Sequence, residues 1–137
     1  MNITTTPLKG TCHCGEVEWS YSTPLESATA CNCTLCRRYG SLWAYGFLTE
    51  GVTVKGSTHS YERGSQINGY HFCKTCGCIC YYLCKTKNNE GLYRVAVNLR
   101  MITEPELIQS LPIDHFEGLN TFEDLPRDSR CVRDMWF

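Results

Sequence analysis

Apolar and polar positions alternate along much of this 137-residue chain, and the alternation predicts strands rather than helices. In "EVEWSYS" the side chains of Val17, Trp19 and Tyr21 fall on one face, and in "GLYRVAVNLR" Tyr93, Val95, Val97 and Leu99 do the same. "SLWAYGFL" is apolar and aromatic and reads as a buried strand, with Trp43, Tyr45 and Phe47 assigned to the core. "VTVKG" and "THSYERG" read as short strands set off by Gly51, Gly56 and Gly64, and "YHFC" and "CICYYLC" as two more. Helical signals are few. "TLCRRY" predicts one turn before Gly40, and "TEPELIQSL" predicts a short helix with Thr103 as N-cap and acidic residues in its first turn. Pro105, Pro112 and Pro126 mark a less regular C-terminal segment expected to drape over the sheet. The pattern predicts one mainly β domain over residues 1–137.

Composition narrows the function classes. Hydrophobic residues make up 42 % and charged residues 20 %, as in a soluble globular protein. The net charge of -1 supplies no general attraction to nucleic acid or to an anionic membrane, so neither is expected as a partner. The longest apolar run, "CICYYLC", is far too short to span a bilayer, and "MNITTTPLKG" lacks the apolar core of a signal peptide. A cytoplasmic protein is expected.

The eleven cysteines change the picture. Disulfides are disfavoured in a reducing compartment, and an odd number cannot all pair. Most of the cysteines are clustered: Cys12 and Cys14 in "GTCHCGEV", Cys31, Cys33 and Cys36 in "CNCTLC", and Cys73 and Cys76 in "FCKTCGC". Cys73-x-x-Cys76-Gly77 has the form of a zinc knuckle, in which two thiolates converge across a tight turn and glycine accepts positive φ after the second. A structural zinc takes four ligands. Cys33 and Cys36 would complete a ribbon, but at a separation longer than the ~15–20 residues usual for one. Cys12 and Cys14, two apart on an extended strand, would present both sulfurs on one face while His13 points away. The second pairing is preferred because it leaves Cys31, Cys33 and Cys36 as an independent set and uses seven cysteines instead of four. Cys78, Cys80 and Cys84 read as strand or core residues, and Cys131 as a free thiol.

The ordered motifs "GTCHCGEV", "CNCTLCRRYG" and "FCKTCGC", with "VKGSTHSYERG", "VNLRMI" and "IDHFEGLN", resemble the glutathione-dependent formaldehyde-activating enzyme family, which also includes centromere-protein-V-like domains. The resemblance runs from about Gly10 to about Asn120. It implies an Mss4-like β-tent fold with two zinc ions per chain: a structural one on Cys12, Cys14, Cys73 and Cys76, and a catalytic one on Cys31, Cys33 and Cys36. Glu117 stands where members often carry Asp, and "CGCIC" holds more cysteine than is usual.

Zinc with three protein ligands keeps a fourth position for an exogenous group. Three thiolates weaken the ion as a maker of hydroxide but suit it to capturing a substrate thiol, and coordination deprotonates a thiol outright. The resemblance implies that the thiol is glutathione, that its thiolate attacks formaldehyde to give S-hydroxymethylglutathione, and that the reverse is a carbon–sulfur lyase reaction. Arg37 and Arg38, next to the last ligand, and His115 in "IDHFEG" are the candidate substrate contacts. Two other classes compete. A non-catalytic zinc-binding interaction module would close the second site with His115 or Cys78. A redox enzyme like the methionine sulfoxide reductases would need a free nucleophile among Cys78, Cys80, Cys84 and Cys131.

Overall fold

The computed structural model describes residues 3–62 and 67–136. Gly64, expected to end a strand, lies outside the described residues. The fold is mainly β. Its strands in chain order are β1 (Leu8–Thr11), β2 (Glu18–Tyr21), β3 (Ala28–Cys31), β4 (Trp43–Leu48), β5 (Gly51–Lys55), β6 (Thr58–Tyr61), β7 (Asn68–Cys73), β8 (Ile79–Cys84), β9 (Arg94–Asn98), β10 (Ile113–Glu117) and β11 (Glu123–Leu125). One α-helical turn, α1 (Cys36–Tyr39), interrupts them where "TLCRRY" predicts it. Among the described residues no helix is long and apolar enough to cross a membrane.

The main sheet runs in the order β1-β2-β5-β4-β9-β8-β7-β6. A side branch leaves β4 where Thr29 of β3 pairs with Trp43, and continues through β10, parallel to β3, to β11, antiparallel to β10. The alternating faces land as the pattern predicts. Val17, Trp19 and Tyr21 are buried together with Val95, Val97 and Leu99 in the larger core. The opposite face of β9 is covered as well: Ala96 packs with Cys33, Cys36, Trp43, Tyr70 and Ile79 in a second cluster. Ala96 pairs with Tyr45 of β4 on one side and Tyr82 of β8 on the other. The Tyr45 and Tyr82 rings, on either side of it, meet edge-on with centroids 6.3 Å apart. Asn98, buried at the end of β9, donates from Nδ2 to Ile79 O at 2.9 Å and accepts from Arg100 N at 3.1 Å, tying β8 to the turn that follows β9.

Three expectations need correction. Phe47 is well exposed instead of joining the core, because β4 reaches the edge of the packed region there. "TEPELIQSL" forms only a 3-10 turn, Pro105–Leu107, with no side-chain cap; Thr103 instead donates its N–H and its hydroxyl to Lys9 O, at 2.9 and 3.1 Å. The C-terminal segment does not drape over the sheet but joins it, as β10 and β11.

Candidate metal centre

The first cysteine group sits where two hairpins meet. Cys12 and Cys14 lie in the turn between β1 and β2; Cys73 ends β7, and Cys76 lies in the turn that leads to β8. These hairpins are near opposite ends of the strand order, so the sheet must curl to join them. The extended geometry expected for Cys12 and Cys14 is not observed. They lie in a tight four-residue turn in which Gly15 N donates to Cys12 O at 3.0 Å and Gly15 takes φ 85°. Both sulfurs still converge, because the turn brings the second thiol back to 3.6 Å from the first. The turn after Cys73 is one residue longer and also ends on a left-handed glycine: Gly77 N donates to Cys73 O at 3.0 Å and Gly77 takes φ 75°. His13 is exposed.

All four sulfurs lie within 4.8 Å of one another. Cys14 Sγ stands 3.6 Å from Cys12 Sγ and 3.5 Å from Cys73 Sγ. Four thiolates arranged tetrahedrally about an ion at ~2.3 Å would have edges of about 3.8 Å, so little adjustment separates this group from a four-sulfur site. Backbone N–H groups already point at the sulfurs, Val17 N at Cys12 Sγ (3.3 Å) and Thr75 N at Cys73 Sγ (3.4 Å). N–H donors of this kind favour thiolate over thiol. The amides of Cys14 and Cys78 pull the Cys76 thiol down to about 6. Between the hairpins, Thr75 Oγ1 donates to Glu16 Oε2 at 2.8 Å.

The second group is formed by the end of β3 and the turn leading into α1. Cys31, Cys33 and Cys36 bring their sulfurs within 4.8 Å of one another, and among the described residues no fourth His, Cys, Asp or Glu joins them. Cys36 N donates to Cys33 Sγ at 3.2 Å, and the indole N–H of Trp43 donates to Cys36 Sγ at 3.4 Å. The Cys31 thiol is drawn down to about 6, chiefly by a hydrogen bond from the Cys36 thiol, with the amides of Cys33 and Gly118 assisting. Sharing that proton pushes Cys36 up. A donor set of sulfurs alone, served by N–H groups, fits a soft or borderline divalent metal. Both groups can therefore hold a metal ion.

Gly118 closes over the second group. A Cβ there would stand 2.6 Å from Cys31 Sγ and 3.3 Å from Cys33 Cβ, so no larger residue fits. Asn32 fixes this approach: its Nδ2 donates to Glu117 Oε1 at 2.8 Å, and its Oδ1 accepts from Gly118 N at 2.9 Å. Glu117 also accepts from the amides of Asn120 and Thr121, both at 2.7 Å, and these amide bonds lead in holding its carboxyl down at about 2. The loop's anchorage is complete above the ordinary carboxylate range and is lost as pH falls through about 2. Gly118→Ala is expected to lower the metal affinity of the three-cysteine group by about tenfold or more with the fold retained, read by cobalt(II) titration against circular dichroism.

The group opens on a cavity of about 220 Å³. Its floor and walls are aromatic: Trp43, Tyr45, Tyr70, Tyr82 and Phe116. Trp43 meets Tyr82 edge-on with ring centroids 5.0 Å apart, and Tyr70 lies 5.2 Å from Tyr82. Phe122, well exposed in a left-handed backbone conformation (φ 56°), stands at the mouth. Trp43 and Tyr45 thus line the site as well as packing. Arg37 and Arg38, by contrast, are exposed on α1 and do not border the cavity; Arg38 donates to Thr34 O at 2.7 Å. Turning Cys33 and Cys36 inward on one helical turn leaves the next two residues facing out. His115 does not reach the cavity either. It alternates with Phe116 on β10, so it faces the other way and stands 3.3 Å from the Asp128 carboxylate. Of Cys78, Cys80, Cys84 and Cys131, none borders the cavity, and Cys78 packs against the larger core. The redox reading has no nucleophile here, and the module reading has no fourth protein ligand among the described residues. Arg94, which the sequence reading did not single out, lies with its guanidinium 4.6 Å from the Tyr45 ring centroid, beside the site.

A search of curated proteins gives no match. Among solved structures, the crystal structure of a Rhodobacter sphaeroides protein is similar at 27 % identity and a TM-score of 0.57, over 77 % of this chain and 98 % of the other. The profile of the glutathione-dependent formaldehyde-activating enzymes matches residues 7–109, which takes in all seven clustered cysteines and the ring-bearing residues Trp43, Tyr45, Tyr70 and Tyr82. The chain belongs to the glutathione-dependent formaldehyde-activating enzyme family.

Proposed function

We propose that the protein is a zinc-dependent carbon–sulfur lyase and synthase that interconverts glutathione plus formaldehyde with S-hydroxymethylglutathione. The observation that supports this most is the three-cysteine group opening on an aromatic cavity without a fourth protein ligand among the described residues. In this reading Cys12, Cys14, Cys73 and Cys76 hold a structural zinc, and Cys31, Cys33 and Cys36 hold a second. Zinc bound there would supply an exchange position at which a substrate thiol is held as thiolate.

The chain's own residues do the rest. Trp43 fixes Cys36 through its indole N–H, and the packed rings give the space beside the sulfurs an apolar wall. The reaction forms one carbon–sulfur bond. The carbonyl π electrons move onto oxygen, which then takes a proton. Burial raises the Tyr82 phenol, so it stays protonated throughout the working range and can donate a hydrogen bond to that oxygen. The Tyr45 ring meets Tyr82 edge-on, with centroids 6.3 Å apart, and burial raises its phenol as well. In the reverse direction the same hydroxyl steadies the leaving formaldehyde oxygen.

Tyr82→Phe is expected to lower turnover by roughly 10²–10³-fold while thiol binding is retained, since only the charge developing on oxygen loses its donor. Saturation kinetics read the two effects separately. The function itself is tested by exchange NMR with ¹³C-formaldehyde and glutathione. Zinc-loaded protein should accelerate exchange into the hydroxymethyl adduct well beyond the spontaneous rate; an unchanged exchange rate refutes the proposal.

A further inference from the structure

The aromatic wall of the three-cysteine cavity is shared. Tyr45, Tyr82 and Phe116 also border a second cavity of about 310 Å³, which is completed by Thr29, Arg94, Asp114 and Asp124. Its charged groups differ in how far they are already engaged. Asp114 accepts from Arg127 Nε at 2.6 Å and from Ser27 Oγ at 2.5 Å, so its charge is answered within the protein. Arg94 lies over the Tyr45 ring and makes no ion pair among the described residues, and neither does Asp124. One cation and one carboxylate therefore face a common space without each other.

Strand register sets their distance from the sulfurs. Phe116 pairs with Cys31 on one side and with Asp124 on the other. Two strand spacings of ~4.8 Å place Asp124 roughly 10 Å from Cys31. A ligand whose sulfur sits at the three-cysteine group would pass over Phe116 and along the wall made by Tyr45 and Tyr82 to reach Arg94 and Asp124.

An unpaired guanidinium beside an unpaired carboxylate complements a group that carries both charges on one carbon, the zwitterionic head of an α-amino acid. We infer that the second cavity recognises such a head on the thiol substrate, Arg94 binding its carboxylate and Asp124 its ammonium. This rests on the reading that the substrate sulfur binds at the three-cysteine group. Free cysteine is too short to occupy both places. A thiol whose amino-acid head is joined through a γ-amide has the length, which makes the γ-glutamyl end, and not the glycine end, the determinant of specificity. Arg94 and Asp124 then select the substrate without touching the reacting atoms.

The test uses the cobalt-substituted protein and follows the cobalt–thiolate absorption as thiols are added. The probes are glutathione, γ-glutamylcysteine, cysteinylglycine and 2-mercaptoethanol. γ-Glutamylcysteine should bind about as well as glutathione, and cysteinylglycine about tenfold or more weaker, the loss expected for a charge-assisted contact. In Arg94→Gln and in Asp124→Asn the gap should collapse through weaker binding of the two γ-glutamyl thiols, with Arg94→Lys intermediate and 2-mercaptoethanol unchanged throughout. If 2-mercaptoethanol binds but cysteinylglycine matches γ-glutamylcysteine, or if the gap survives in Arg94→Gln, the head site is refuted while the thiol reading stands. If no thiol perturbs the spectrum, the thiol reading fails and takes this inference with it.

Discussion

Cys73→Ala is expected to leave the chain unfolded at ordinary temperatures. Cys73 is buried at the turn joining β7 to β8, and its sulfur lies 3.5 Å from Cys14, 59 residues earlier in the chain. A bond closing a loop of that length removes roughly 4 kcal/mol of chain entropy from the unfolded state. Structural zinc in small peptides contributes roughly 10–16 kcal/mol, against about 5–15 kcal/mol for the whole stability of a typical domain. Strand pairing alone does not bring the β1–β2 and β7–β8 hairpins together, because they lie far apart in the strand order. Among the described residues, the direct side-chain hydrogen bond seen between the two turns apart from the sulfurs is the exposed one from Thr75 to Glu16. Removing one of four sulfurs leaves a weaker three-coordinate site and a hairpin pair without its clamp. Thermal melting by circular dichroism, together with metal content, checks this. Wild-type melting and full metal content in Cys73→Ala would contradict it. A strong chelator should reproduce the unfolding in the wild-type protein.

Cys36→Ala should behave in the opposite way, with fold kept and activity lost. The three sulfurs of the second group come from one local stretch, residues 31–36, so their loss does not unclamp two distant hairpins as loss of Cys73 does. The sulfur it removes is small and is held by Trp43, which has other packing partners in Tyr70 and Tyr82. Metal content is expected to fall by one ion per chain. Adduct formation is expected to drop to the spontaneous rate, a loss of about 10³-fold or more for a site that acts as a unit. Melting should shift by only a few degrees. A variant that loses the fold along with the activity would show that the second group is structural too.

These contrasting outcomes follow from features that were unequally legible in the sequence. Local periodicity placed Val17, Trp19 and Tyr21, and Val95, Val97 and Leu99, because each face is decided within one strand. The spacing Cys73-x-x-Cys76-Gly77 announced its turn through the glycine, which does take positive φ. Convergence of the seven cysteines into two groups was also readable, although Cys12 and Cys14 meet across a turn and not along a strand. Features that depend on register between strands were not readable. Trp43 and Tyr45 look like core residues in "SLWAYGFL", and only the pairing of Tyr45 with Ala96, itself opposite Tyr82, shows that they border a space. The short β3, "ATAC", has too little alternation to announce a strand, and β10 is enclosed between prolines. The parallel partnership of β3 with β10, which carries Gly118 to Cys31, had no local signal.

Candidate substrate contacts suffered most from this. Arg37 is next to Cys36 in sequence, yet the helical turn that aims Cys33 and Cys36 inward sends it outward. His115 has the chemistry of an acid–base group, but Phe116 takes the face toward the sulfurs. Arg94 did leave a trace: in "YRVAVN" it shares a face with Ala96, a cation beside a small residue in a strand otherwise fully buried.

The central claim is that one metal is enclosed by four sulfurs of the protein and a second is held by three, with a place left for a substrate thiol. Cadmium-113 NMR of the cadmium-substituted protein tests it most directly, because the resonance reports the number of sulfur ligands. The account predicts one resonance in the four-sulfur range and one upfield of it, with glutathione moving only the second into the four-sulfur range. A single resonance, or two in the four-sulfur range before any thiol is added, would contradict it.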